Sequence, residues 1–184
     1  MVLQTVFFGI CVLTDLSHLL LSSNKRIVLF LQQLRDLTFS SLAFPIGLFV
    51  VTSFWSIYAF DRELVYPKVL DSIIPQWLNH SMHTVVLPLL LLEVFASSHH
   101  YPSRKRGLFA LIFFCLLYMS WVFWIHYASG IWVYPLLAKL DAVGRGIFFT
   151  ISLLIAVPFY CLGEYLTWLR WGARKPAKKK RKSK

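Results

Sequence analysis

The sequence predicts an all-α protein, a multi-pass transmembrane helical bundle with five spans. Three observations predict it. Hydrophobic residues make up 58% and charged residues 15% of the 184-residue chain, against roughly 25% charge in soluble domains. The apolar residues fall into five runs, each close to the ~20 residues a helix needs to cross hydrocarbon. The 19 Lys and Arg sit between those runs and in the tail, as cytoplasmic and interfacial charges do in membrane proteins. Lipid offers backbone N–H and C=O groups no partner outside the segment, so the runs are read as helices.

The first run, residues 2–22, has no charged start. Asp15 interrupts it and Lys25-Arg26 follow it, so it reads as a span and not as a cleaved signal peptide. In the loop after it, Ile27 to Leu31 precede polar residues, which predicts a short helix lying in the interface. The remaining runs are 37–60, 77–96, 107–128 and 146–169. Together they define a helical domain over residues 1–169 and a basic tail over 170–184. The tail, ending KPAKKKRKSK, is too polar and charged to build a core and reads as disordered.

Lys and Arg are unequally shared between the two sides. The first loop, third loop and tail carry fifteen, and the second and fourth loops carry four. The tail and loops one and three are therefore placed in the cytosol, with Met1 and loops two and four in the lumen or outside. The expected setting is the endoplasmic reticulum and endomembrane system, or the plasma membrane. Lys180 and Lys182 stand at the spacing of a KxKxx retrieval signal. The same run would also be drawn to anionic lipids. Because a span tethers it, nucleic acid is not an expected partner.

Polar residues inside spans are costly and mark function by default. The orientation sorts them into two levels. At the lumenal level lie Asn79, His80 and His83, with His83 ~9 Å below Trp77, and His126. Asp61, Arg62, Glu63, Tyr66, Trp132 and Tyr134 join them from the loops. At the cytosolic level lie Asp15, His18, Glu93 and Glu164, read as interhelical hydrogen bonds or as side chains snorkelling to the cytosolic interface, the carboxylates needing protons or basic partners such as Arg104 or Arg170. His99 and His100 read as part of a solvated loop. A neutral imidazole could activate a Ser or Thr hydroxyl. His80 and His83, with His126, could instead hold a metal, or each could be a satisfied polar group at the interface. Cys11, Cys115 and Cys161 all lie in apolar runs without a CxxC, which argues against disulfides and zinc. No cofactor or metal is expected.

The WLNHSMHT stretch at 77–84 resembles the signature of the androgen-induced-gene and androgen-dependent TFPI-regulating protein family. FFGICVLTDLS (7–17), LAFPIGLFVV (42–51), FDRELVYPKVLDSIIP (60–75), SSHHYPSRKRGL (97–108), GIWVYP (130–135) and LGEYL (162–166) also fit it. The resemblance implies a six-span membrane hydrolase that uses a Thr and a His to cleave fatty acid esters of hydroxy fatty acids. The implied His is His83, with Asn79, His80 and His126 as cleft candidates. The implied Thr stands seven residues before the match to Gln4, ahead of Met1. Thr5 is eight residues along from that position, ~12 Å on a helix, too far to stand in for it. The expectation is therefore a lipid ester hydrolase, impaired in the sequence as written, that lacks the family's first helix. The alternative is a non-catalytic, truncated membrane protein acting as a regulatory or binding partner.

Overall fold

A computed structural model describes residues 1–20 and 24–172. Most of the basic tail, including Lys180 and Lys182, lies outside the described residues. Five helical stretches within them are long and apolar enough to cross a membrane, and no strand occurs among them. The five expected spans are all present, with two differences in how they are built.

Helix α1 covers Val2–Leu20 and α2 covers Lys25–Thr38. The short helix expected over 27–31 is thus longer. It also runs without a loop through a π-helical turn, Phe39–Ala43, into α3, Phe44–Asp61. Pro45 accounts for the turn. It lacks the N–H that would bond Ser41 and its ring crowds that carbonyl. The helix widens here, so the Phe44 N–H reaches back to the Phe39 carbonyl, one residue further than in an α-helix. Gln4 on α1 donates from Nε2 to the Ala43 carbonyl at 2.9 Å.

The expected third span is two helices, α4 over Gln76–His83 and α5 over Val86–Ala96. Pro88 causes the break: it cannot donate to the Thr84 carbonyl, and its ring clashes there. The Leu87 N–H takes that carbonyl instead, at 3.2 Å. Leu87 would otherwise have bonded the His83 carbonyl, which is left open by the exchange.

Helix α6, Arg104–Ser129, stops at Gly130, whose φ of 72° is the left-handed conformation that a side chain resists. A short α7, Pro135–Lys139, precedes α8, Ala142–Trp171. Asp141 starts α8 by accepting the Gly144 N–H at 2.7 Å, a side-chain N-cap. The second loop, between α3 and α4, holds two 3-10 turns, Arg62–Leu64 and Lys68–Ser72.

Phe7, Phe39, Phe44, Leu48, Leu90 and Val94 join α1, the π turn, α3 and α5 in one core. Leu111, Ala156 and Tyr160 join α6 to α8 in another. Apolar side chains such as Phe109, Phe113, Trp121 and Trp124 on α6, and Ile147, Ile151 and Leu154 on α8, point outward. In lipid such a surface is a solvated one. Helices in lipid gain most from close packing of small residues, and Gly163 shows it. A Cβ there would stand 2.6 Å from the Phe44 ring and 2.5 Å from the Tyr101 hydroxyl. Gly163→Val should therefore lower the unfolding midpoint of detergent-solubilised protein, by about 1–3 kcal/mol of stability. A thermal scan against wild type measures it.

Candidate functional site: a histidine at a helix break

The break between α4 and α5 leaves His83 at the last position of α4, and three contacts fix it. Its ring lies flat on Phe54, with centroids 3.7 Å apart and planes within 2°. Its Nδ1 is 2.9 Å from Asn79 Oδ1 and 3.2 Å from the Asn79 backbone carbonyl. Its own open carbonyl accepts the Trp55 indole N–H at 3.0 Å. A backbone carbonyl can only accept, so Nδ1 carries the proton. The lone pair is then on Nε2, which is the nitrogen able to take a proton.

His80 is exposed and sits one turn earlier. Its Nδ1 is 3.0 Å from Thr84 Oγ1 and its ring stacks on Trp55. Beside it opens a cleft of about 490 Å³, lined by Trp55, Tyr58, Arg62, Tyr66, Asp71, Ile74, Gln76, Asn79 and His80. Asn79 is the link, since it both lines this cleft and holds His83. In the cleft, Arg62 bonds Asp71 at 2.7 Å and the Tyr66 carbonyl at 3.3 Å. Its guanidinium lies over the rings of Tyr58 and Tyr66.

The structure thus brings together Asn79, His80, His83, Arg62 and Tyr66 of the group expected from sequence. His126 is engaged elsewhere. Its ring stacks on Trp132 at 3.8 Å, and Arg145 covers the same indole at 4.3 Å. Among the described residues no three His, Cys, Asp or Glu side chains are grouped to hold a metal, so the three-histidine metal reading has no geometric basis. Tyr134 meets Tyr118 hydroxyl to hydroxyl. Burial first, and then the neighbouring Tyr118, push the Tyr134 phenol above its ordinary range. Sequence reasoning missed Phe54, Trp55 and Tyr58, which read only as span residues. The available signal was an aromatic cluster in the last turns of a span, where aromatic belts form.

The start of α1 approaches this end of the bundle. Gln4 and Val86 both pack on Gly47. Met1 is three residues before Gln4 and His83 three before Val86, both toward the same end.

The family model described as FAR-17a/AIG1-like protein matches residues 1–167. The chain belongs to the FAR-17a/AIG1-like family. It is 49% identical over 180 residues to human androgen-induced gene 1 protein, covering 95% of this chain and 76% of that relative. To human androgen-dependent TFPI-regulating protein it is 42% identical over 182 residues, 99% of this chain and 78% of that one. A UPF0641 membrane protein of Schizosaccharomyces pombe is 29% identical over 119 residues, 63% of this chain and 52% of that one. No solved structure matches.

At the opposite end, this FAR-17a/AIG1-like chain corrects an expectation. His99 is not in a solvated loop. Its side chain is fully buried between two carboxylates, with Nδ1 3.1 Å from Asp36 and Nε2 3.0 Å from Glu93. Its ring stacks on Phe39 at 3.9 Å. Asp36 also accepts from Arg35 at 2.9 Å and from the His100 N–H at 3.1 Å. A ring placed between two carboxylates must donate from both nitrogens, unless one carboxyl is itself protonated. His100, its neighbour, is mostly exposed. Arg104 pairs with Glu164 at 2.8 Å, as the sequence suggested. His18 bonds Gln32 at 2.8 Å, and Asp15 is exposed.

Removing His99 would leave Asp36 and Glu93 facing each other without the ring that separates them. His99→Ala and His99→Phe are both expected to lose about 3–5 kcal/mol of stability, the cost of breaking a buried charge cluster. The phenyl variant tests charge against shape, because it keeps the stack on Phe39. Thermal unfolding in detergent reads both, and a wild-type midpoint for His99→Phe would show that the ring only fills space.

Proposed function

We propose that this chain is a membrane-embedded hydrolase of fatty acid esters of hydroxy fatty acids, with His83 as its general base. One observation supports this above the others: His83 is held on three sides with Nε2 as its lone-pair nitrogen, at a helix break beside a cleft. The resemblance read from the sequence points to the same residue. The nucleophile it implies is a Thr on the helix that contains Gln4, seven residues upstream. Extending α1 upstream from Gln4 leads toward the end of the bundle that holds His83.

In this reading His83 Nε2 takes the Thr hydroxyl proton as the oxygen attacks the ester carbonyl. The imidazolium returns the proton to the departing hydroxy fatty acid. Water, activated by the same nitrogen, then releases the fatty acid from Thr. Asn79 positions the ring by fixing the Nδ1–H tautomer, while His80 and the Arg62 cleft lie along the substrate's path. A lipid ester can enter sideways from the bilayer without crossing water. The site faces the lumen of an endomembrane compartment, and the basic tail faces the cytosol.

The test is hydrolysis of such an ester by membranes containing the chain extended upstream by one helix, with the unextended chain beside it. His83→Ala should lower the extended form's rate by about 10²–10⁴, the usual contribution of a general base. Asn79→Leu should lower kcat with little change in KM, and His80→Ala should do much less than either. A rate that survives His83→Ala intact overturns the assignment. Absence of hydrolysis in both forms favours a non-catalytic binding role.

A further inference from the structure

We propose that Arg62 anchors the carboxylate of a single-chain lipid acid, which makes the cleft beside His80 a head-group site. The choice of a lipid acid rests on the hydrolase reading above.

Arg62 begins the 3-10 turn that follows α3, where a span gives way to the interface. A head group lies at that depth. Its guanidinium is held in place rather than free to snorkel. Nε donates to the Tyr66 carbonyl and Nη2 to Asp71, and two phenol rings flank it. Tyr66 is itself buried and reaches the Leu70 and Ile74 carbonyls, which stiffens the loop that carries the arginine. These bonds leave the Nη1 hydrogens without a partner among the described residues. Nη1 can therefore donate a charge-assisted hydrogen bond to an oxygen of an incoming carboxylate. Asp71 shows that a carboxylate fits against this guanidinium. It also neutralises one unit of charge, so the cleft suits a monoanion better than a dianionic phosphate. Trp55 and Tyr58 supply apolar wall for the first part of an acyl chain, and Asn79 connects the cleft to His83.

A purely structural Arg62–Asp71 latch would use the same ion pair, and the two readings differ in sign. If Asp71 only helps hold the loop, removing its charge damages the cleft. If Asp71 competes with a ligand for Arg62, removing its charge improves binding.

The experiment uses the full chain in lipid nanodiscs and labelling by a photoreactive palmitic acid, competed by palmitic acid or by methyl palmitate. Palmitic acid should compete about tenfold better than its methyl ester, as expected for a charge-assisted hydrogen bond that only the acid can make. Arg62→Gln should erase that preference, and Asp71→Asn should strengthen it. His83→Ala should keep it, so binding stays measurable even where hydrolysis fails. Three results would overturn the proposal. One is an unchanged preference in Arg62→Gln that elutes and melts like wild type. Another is Asp71→Asn losing acid binding as Arg62→Gln does, which shows a latch. The third is stronger competition by lysophosphatidic acid or by acetate at matched concentration, which shows a phosphate site or a site for small anions. If Arg62→Gln does not fold, the sign of the Asp71→Asn effect decides.

Discussion

A polypeptide inside hydrocarbon must satisfy its own peptide groups, and prolines break that arrangement where they interrupt helices. Most of the long-range architecture of this protein follows from that constraint. Pro45 opens a π turn, and Gln4 on α1 bonds the carbonyl at its end. Pro88 separates α4 from α5, and Trp55 on α3 bonds the carbonyl that the break exposes. At the end of α5 the Val94 carbonyl has no helical donor, and the Trp171 indole on α8 supplies one at 2.8 Å. Each irregularity thus recruits a donor from another helix. The bundle is tied together where its helices are least regular.

The same constraint separates the buried His99 and the half-buried His83 into different kinds of chemistry. His99 has a carboxylate on each nitrogen and no exposed surface. It clamps α2 to α5 and has no lone pair to offer. His83 has a carbonyl and an amide oxygen on one nitrogen only. Its ring is oriented by neutral partners and a stacked phenyl, so Nε2 keeps its lone pair. A base needs that combination of fixed position and an available lone pair. It arises here because α4 stops at His83, under a tryptophan that has replaced a helical donor.

The coarse fold was legible in the sequence because lipid makes hydrophobicity and length nearly sufficient: the five runs became five spans. Placing Asn79, His80 and His83 at one end was also legible, since orientation and 1.5 Å per residue fix depth. The α4–α5 break was not anticipated, though Pro88 marked it, because a long apolar run argues for one helix. The fusion of α2 to α3 escaped for a similar reason, since a charged stretch reads as a loop. His99 was misplaced because its partners, Asp36 and Glu93, lie 63 and 6 residues away. Nothing local in Ser97-Ser98-His99-His100 shows that Asp36 will reach it. His126 was grouped with His83 on depth alone, and depth does not say which helices face each other.

The central claim is that a helix break holds His83 as a working base beside an activated hydroxyl. Covalent labelling by a fluorophosphonate probe tests this at the chemical step, because the probe reacts with activated nucleophiles and not with ordinary Ser or Thr. The account predicts that the upstream-extended chain in native membranes is labelled. That labelling should disappear on heating, fall with His83→Ala and be competed by a fatty acid ester of a hydroxy fatty acid. No labelling of the extended chain, or labelling undiminished in His83→Ala, would contradict it.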